Sequence, residues 1–184
     1  MVLKALRGVV WKVENNMVLL DVSGLIFEVF VISEELEQLK KKMEKEVLLW
    51  CSVAYQLPPK VFGSYRRECV ELFEKLLSVS GVGFKAAYSI LNLGFSVVLE
   101  ALERGEWSVI AQAKGVGKKT AQVLVARLKG KLDFKVDELV DVLVGMGVAA
   151  IEAWEVAKSV KGGSLEERVK EALRLLAEKR ELVK

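Results

Sequence analysis

Histidine is absent from this chain of 184 residues. Its absence removes Ser-His-Asp and Cys-His mechanisms, the commonest general base and most zinc sites. Proline occurs only at Pro58 and Pro59, so there is no proline-rich linker. The two cysteines, Cys51 and Cys69, lie 18 residues apart. Two thiols cannot close a tetrahedral zinc site, and they are expected to be reduced and at least partly buried. Asparagine (three) and glutamine (four) are sparse, a composition met in heat-adapted proteins. No run approaches the ~20 apolar residues of a membrane-spanning helix. The opening MVLKALRGVV lacks the apolar core and small-residue cleavage site of a secretion signal. A cytoplasmic protein with no membrane partner is the expectation.

What is present is ample core material: 52% hydrophobic and 29% charged residues, which excludes wholesale disorder. Charge is uneven along the chain. Residues 1–63 are net neutral, residues 64–132 carry a net +5, and residues 133–184 a net −2. Three modules with different partners are implied: 1–63, 64–132 and 137–184.

The first module reads as strands. Lys4 to Val13, Met17 to Val22 and Leu25 to Ile32 are aliphatic runs separated by the turn pairs Asn15-Asn16 and Ser23-Gly24, the asparagines being tolerant of positive φ. Ser33 is placed to cap a short charged helix through Lys42. Val47 to Gln56 is a fourth strand, stopped by the prolines, and Val61 to Gly63 a short fifth. Five strands in about 60 residues fit a small Greek-key barrel better than an open sheet, because so short a segment must close its edges.

The second module switches to helical periodicity. Helices are expected over Tyr65 to Val79, Phe84 to Leu91, Ser96 to Arg104, Trp107 to Ala113 and Lys118 to Leu132. In the third, helices are expected over Asp137 to Val144, Ala149 to Val160 and onward from the capping box Ser164-Leu165-Glu166-Glu167. The connecting stretch, about Asp133 to Val136, is short.

One internal repeat stands out. LLSVSGVGFKAAYSIL (76–91) and IAQAKGVGKKTAQVLV (110–125) align at an offset of 34 residues. Gly81-Val82-Gly83 matches Gly115-Val116-Gly117, and Lys85 matches Lys119. The period also suits tetratricopeptide arrays, but there are two copies only and the signature aromatics are missing. A lone Gly-x-Gly between helices is usually a tight turn. Two in register, each opening a helix whose N–H groups point outward, suit phosphate oxygens. Lys114 and Lys118 add charge to the second copy. Between Trp107 and Leu132 six basic residues stand against no acidic one, a stripe suited to an anionic polymer. The candidate DNA-binding residues are therefore Gly81, Val82, Gly83, Lys85, Lys114, Gly115, Val116, Gly117, Lys118 and Lys119.

Both copies resemble the helix-hairpin-helix motif of DNA-binding proteins, which grips backbone without reading bases. Along its full length the chain resembles the RuvA family, the junction-binding subunits of the RuvAB branch-migration machine. LRGVVWKVENNMVLLDVSGLIFEVFV is similar to that family's barrel strands. GVGFKAAYSIL and GVGKKTAQVLVARLK are similar to its paired hairpins, and VLVGMGVAAIEAWEVAKSV to its third domain. The fold implied is α+β multidomain: an OB-like five-stranded β-barrel, a tandem helix-hairpin-helix domain and a small C-terminal three-helix bundle.

The resemblance implies a homotetramer holding a four-way Holliday junction open, with an octamer on DNA as the alternative. The third domain would bind the RuvB hexameric ATPase, in recombination, repair and the SOS response, with RuvC resolvase as a further partner. No catalytic residue, metal or cofactor is expected. Leu143, Val144, Met146, Val148 and Ile151 are read as mostly core. From these, Leu143, Met146 and Val148, with Leu173 and Leu176, are the candidates for a partner groove. The bland reading of the bundle is a stability cap. A DNA glycosylase or nuclease is a competing enzyme reading, but carboxylates are dispersed and only Asp133 follows a hairpin closely. A generic duplex-binding module is the third reading.

Two departures from the family stand out. Many members carry acidic residues on a barrel loop, whereas Val47 to Arg67 here holds no Asp or Glu. Strand separation would then fall to sterics, with Tyr55 either stacking on a base or serving as an ordinary strand aromatic. The tether before the third domain is also shorter than the family often has.

Overall fold

The computed structural model describes residues 3–132, 138–148, 150–160 and 162–181. The chain divides into two compact units, Met1–Asp133 and Phe134–Lys184. The expected tether from Asp133 to Val136 lies outside the described residues.

The first unit opens with β1 (Ala5–Glu14), β2 (Met17–Val22), β3 (Leu25–Phe30), helix α1 (Ser33–Lys40), β4 (Glu46–Ala54) and β5 (Lys60–Ser64). The strands form a closed barrel in the order β1-β2-β3-β5-β4. Only the β3–β5 pairing is parallel. This is the expected five-stranded Greek-key barrel. Alternation along β1 sends Leu6 and Val10 inward and Arg7, Val9 and Trp11 outward. The interior is filled by Val18, Leu20, Val29 and Leu49, and α1 adds Leu36 and Leu39 to the same core. Gly8 permits the close β1–β2 approach, since a Cβ there would meet the Asp21 carbonyl oxygen at 2.3 Å.

Both expected hairpin turns are present, by different means. Ser23 and Gly24 take φ of 55° and 90°, a twist that matches the flanking strands, and Gly24 N–H donates to Asp21 Oδ1 at 2.7 Å. Asn15-Asn16 joins Glu14 to its partner Met17 without either asparagine adopting positive φ. Ser33 does not cap α1. The cap position is Ile32, and Ser33 Oγ donates to Asn92 Oδ1 at 2.7 Å. The β4 strand ends at Ala54, two residues before the expected Gln56.

Helices α2 (Arg67–Leu77), α3 (Phe84–Leu91), α4 (Phe95–Arg104), α5 (Trp107–Ile110) and α6 (Lys118–Leu128) complete this unit. The α2 helix buries Cys69, Leu72, Phe73 and Leu76 on one face. The α5 helix stops three residues before Ala113, and α6 stops at Leu128 rather than Leu132, ahead of Gly130 at φ +69°. Barrel and helices share one aromatic seam. Phe62 stacks on Phe73 at 4.3 Å between centroids, Phe73 meets Phe84 edge-on at 5.4 Å, and Phe84 meets Phe30 at 5.0 Å. Tyr88 Oη donates to the Val31 carbonyl at 2.8 Å. Such ring pairs add ~0.5–1.5 kcal/mol each beyond the area they bury, so the barrel presents the helices from a fixed base.

The second unit is the expected small bundle: α7 (Glu138–Gly145), α8 (Ala150–Ser159) and α9 (Leu165–Glu181). Its core includes Leu139, Leu143, Ala153, Val156, Ala172 and Leu176. The α7 helix is closed by Gly147 at φ +86°, with Val148 N–H returning to the Leu143 carbonyl. The capping box forms as expected. Glu167 N–H donates to Ser164 Oγ at 3.3 Å, and Ser164 N–H donates to Glu167 Oε2 at 2.9 Å. Among the described residues no single helix is long and apolar enough to cross a membrane.

Candidate nucleic-acid interface

The two Gly-Val-Gly turns are built alike. Gly81 and Gly115 take φ of +86° and +81°, which reverses the chain between helices at positions where a side chain would be strained. Val82 and Val116 are each 6% exposed, so the valine of each turn plugs into the core. Their N–H groups donate to the Val79 and Ala113 carbonyls, both at 3.0 Å. These two valines therefore offer little side-chain surface and set the turn from within.

The second glycine of each copy is different. Gly83 (φ −94°) and Gly117 (φ −81°) are extended residues that open α3 and α6, a backbone any residue can adopt. A Cβ at either would meet nothing within 4 Å in this chain. The fold itself does not demand glycine there. Neither helix has a side-chain N-cap or an acidic residue in its first turn. The first-turn N–H groups, which have no partner within a helix, thus sit beside bare backbone, where another molecule can come close.

The lysines follow. Lys85, Lys114, Lys118 and Lys119 are all exposed. Lys118 Nζ lies 5.2 Å from the centre of the Trp107 ring, which holds it at the mouth of the second turn. Lys85, Lys114 and Gly115 line a cleft of about 670 Å³ together with Lys60 of the barrel. One wall thus brings together both hairpins and a strand end. The sequence reading missed Lys60. It is a β5 residue 54 positions from Lys114, and only the packed fold brings them to the same cleft. Its ammonium sits 5.1 Å from the Phe30 ring centre and 5.2 Å from that of Phe84.

The joint between barrel and helices carries a buried carboxylate. Glu35 of α1 accepts from Ser64 Oγ at 2.7 Å and from Tyr65 N–H at 3.2 Å. Burial pushes its pKa from 4.5 up to about 7, outweighing the opposing pull of Ser64, Arg66 and Tyr65 N–H. Arg66 is itself buried, 3.6 Å from Glu34 and 5.4 Å from the Phe95 ring centre. Cys51 and Cys69 are free and buried. Burial pushes the Cys51 thiol up to about 12 and raises Cys69 as well, so neither is a nucleophile at neutral pH. Among the described residues no group of three or more Cys, Asp or Glu is placed to hold a metal ion.

In the second unit the partner candidates separate. Leu143, Val148 and Leu176 are in the bundle core, 9% exposed or less, which leaves them little surface to offer. Met146 is 57% exposed, and Leu173 is partly buried against the core. The side chains of Val144 and Ile151 lie outside the described residues.

Comparisons with known proteins fit this architecture. A family model described as a SAM-like helix-hairpin-helix tandem matches residues 73–130, spanning both Gly-Val-Gly turns. The chain is 33% identical over 182 residues to the protein named Holliday junction branch migration complex subunit RuvA from Caldanaerobacter subterraneus subsp. tengcongensis, covering 94% of this chain and 97% of the relative. It is 36% identical over 191 residues to the protein of that name from Halothermothrix orenii, covering 95% and 97%. A Thermoanaerobacter relative of the same name is 32% identical over 180 residues, covering 92% and 96%. A closed barrel, two matched hairpins and a helical bundle, in one order and along nearly the whole of such relatives, place the chain in a single lineage: it belongs to the RuvA family.

Proposed function

We propose that this protein binds four-way junction DNA through the backbone of its arms and recruits a separate ATPase motor for branch migration, with no chemistry of its own. The observation that carries the reading is the pair of turns at which Gly83 and Gly117 leave open backbone beside uncapped helix N-termini. Gly81, Gly83, Gly115 and Gly117 would let phosphates approach first-turn N–H groups. Lys85, Lys114, Lys118 and Lys119 would supply the screening charge. Val82 and Val116 hold the turns from within.

Four such subunits would present eight hairpins to four duplex arms, so a homotetramer, or two of them as an octamer, suits the ligand's symmetry. The three stretches 1–63, 64–132 and 137–184 would divide the work as scaffold, DNA grip and motor contact. The RuvB ATPase would meet the bundle at an exposed face that includes Met146 and the open side of Leu173. RuvC resolvase would act on the same bound junction. A DNA-bound, cytoplasmic protein of recombination and repair is the setting this requires.

The test is a competition gel shift at near-physiological salt, with labelled four-way junction against excess linear duplex of matched sequence. Junction binding that survives the duplex supports the reading. Equal competition replaces it with a general duplex-binding module.

A further inference from the structure

We propose that α1 is a clasp on the base of the first Gly-Val-Gly hairpin, with Glu35 as its positioning residue, and that this clasp makes the grip on junction DNA depend on proton concentration. The inference rests on the junction reading above and adds a control to it.

Three consecutive residues of α1 hold three different parts of that base. Ser33 takes the end of α3: its N–H and its Oγ both donate to Asn92 Oδ1, at 2.9 and 2.7 Å. Asn92 is itself oriented by a hydrogen bond from its Nδ2 to the Tyr88 carbonyl at 2.8 Å. Glu34 lies 3.6 Å from Arg66, at the N-cap position of α2. Its Oε1 would also be 3.1 Å from a Cβ at Gly94, the residue that opens α4. Glu35 accepts from Ser64 Oγ and Tyr65 N–H, where the last strand runs into α2. Helices α2 and α3 carry the turn at residues 81–83 between them, so a hold on their far ends sets where the turn points. Ser33 and Asn92 also line the cleft of Lys60, Lys85 and Lys114. A shift at the clasp therefore reshapes the cleft that those lysines share.

Of the three, Glu35 alone is buried. The groups around it pull in opposite directions. Burial, with Glu34 adding to it from the same helix, favours the neutral acid; Ser64 Oγ, Arg66 and the Tyr65 N–H favour the carboxylate. Burial prevails and carries the pKa from 4.5 up to about 7. Cys69 of α2 also faces the group, as a neutral thiol. Arg66 is poorly placed to answer a new charge. It packs over Phe95, it already faces Glu34, and its Nε is buried without a hydrogen-bond partner. Ionised Glu35 therefore sets a second anion beside one guanidinium, away from water. The joint relieves this by admitting water or by turning Arg66 from Glu34 towards Glu35, and either change loosens the hold on α2. The closed clasp keeps the proton, whereas a hydrated carboxyl group releases it. Closure is thus favoured below about pH 7 and lost as pH rises above it. Affinity for DNA falls with the fraction of protein that holds the first hairpin in place.

The test uses the full-length protein and a labelled four-way junction, with affinity read by fluorescence anisotropy in steps from pH 6 to pH 8.5 at constant ionic strength. Wild-type affinity should fall by at least about threefold across that range, within the ceiling of about tenfold per pH unit that one proton allows. Glu35→Gln, a neutral isostere of the protonated acid, should bind at pH 8.5 as wild type does at pH 6. Loss of a mere structural prop would not produce that gain. Ser64→Ala removes a donor that favours the charged form, so it should move the midpoint of the fall to higher pH. Histidine is absent, and the α-amino group, with an ordinary pKa of ~7.7–8.0, is the same in both variants. Wild-type affinity that does not change with pH, while junction is still preferred over duplex, overturns the clasp and leaves the junction reading standing. So does a slope that survives in Glu35→Gln. Should Glu35→Gln fail to fold, a midpoint unmoved in Ser64→Ala overturns the clasp instead. A wild-type protein with no preference for junction over duplex at any pH defeats the underlying reading and the clasp with it.

Discussion

Glu35 Oε1 lies 2.7 Å from Ser64 Oγ, a contact that ties the barrel's only helix to the last residue of its last strand. The very next residues, Tyr65 and Arg66, lead into α2 and also face this carboxyl group. One buried acid thus joins the aromatic seam in fixing how α2 leaves the barrel.

That acid makes the first unit sensitive to pH. Its pKa is raised from 4.5 to about 7, so between those values the folded protein holds a proton that the unfolded chain releases. The contribution is full below pH 4.5 and is lost as pH rises through about 7. At ~1.4 kcal/mol per unit, the swing is of the order of 3 kcal/mol. Urea unfolding of wild type should show stability falling from pH 5 to pH 8, and Glu35→Gln should flatten that dependence. An undiminished slope in the variant would place the titrating group elsewhere.

The glycines allow folding and binding to be separated. At Gly81 and Gly115 positive φ makes any side chain a folding problem. At Gly83 and Gly117 neither φ nor space opposes one. Gly83→Ala with Gly117→Ala should therefore leave the melting temperature within a few degrees of wild type and weaken junction binding at least about tenfold, the ~1.4 kcal/mol that a phosphate held off its N–H groups would lose. Gel shifts on the folded double variant read this directly. Unchanged affinity would remove the helix N-termini from the contact.

Charge should act without regard to base sequence. Lys119→Ala and Lys60→Ala should each weaken binding alike across junctions of different sequence. Each should flatten the plot of log affinity against log salt by about 0.9. A changed base preference would mean that these lysines touch base edges.

The thiols offer a simple check on the core. Cys51 and Cys69 are buried and their thiolates disfavoured. Ellman's reagent should find no fast-reacting thiol in the native protein and two after denaturation. Rapid native labelling would show that the barrel and the first hairpin open readily.

The elements most legible from sequence were those whose signals are local. Ser23-Gly24 marks its own turn, the alternation of β2 ends at its own turn residues, and α3 begins where Gly83 stops being helical; β2 and α3 have the expected bounds. The repeat made both hairpins visible before any packing was known. What escaped depends on distant neighbours. Glu35 looks like one charge among several in SEELEQLK, and its burial comes from Ser64 and Arg66 some 30 residues on. Ser33 had the right chemistry for a cap, but Asn92 claims its hydroxyl from another helix. Lys60 has no motif around it and becomes interesting only when folding brings it to the cleft that Lys114 also lines. In the bundle, periodicity marks Leu143 and Leu176 as apolar but does not say which apolar positions stay outside.

The closed ring of strands has one more consequence. Every strand in it has a neighbour on both sides over at least part of its length, so little bare edge is left on which a second chain could continue the sheet. Any copies that associate through the barrel would meet largely through side chains. Such contacts can be undone one residue at a time, and a subunit separated in that way keeps its barrel whole.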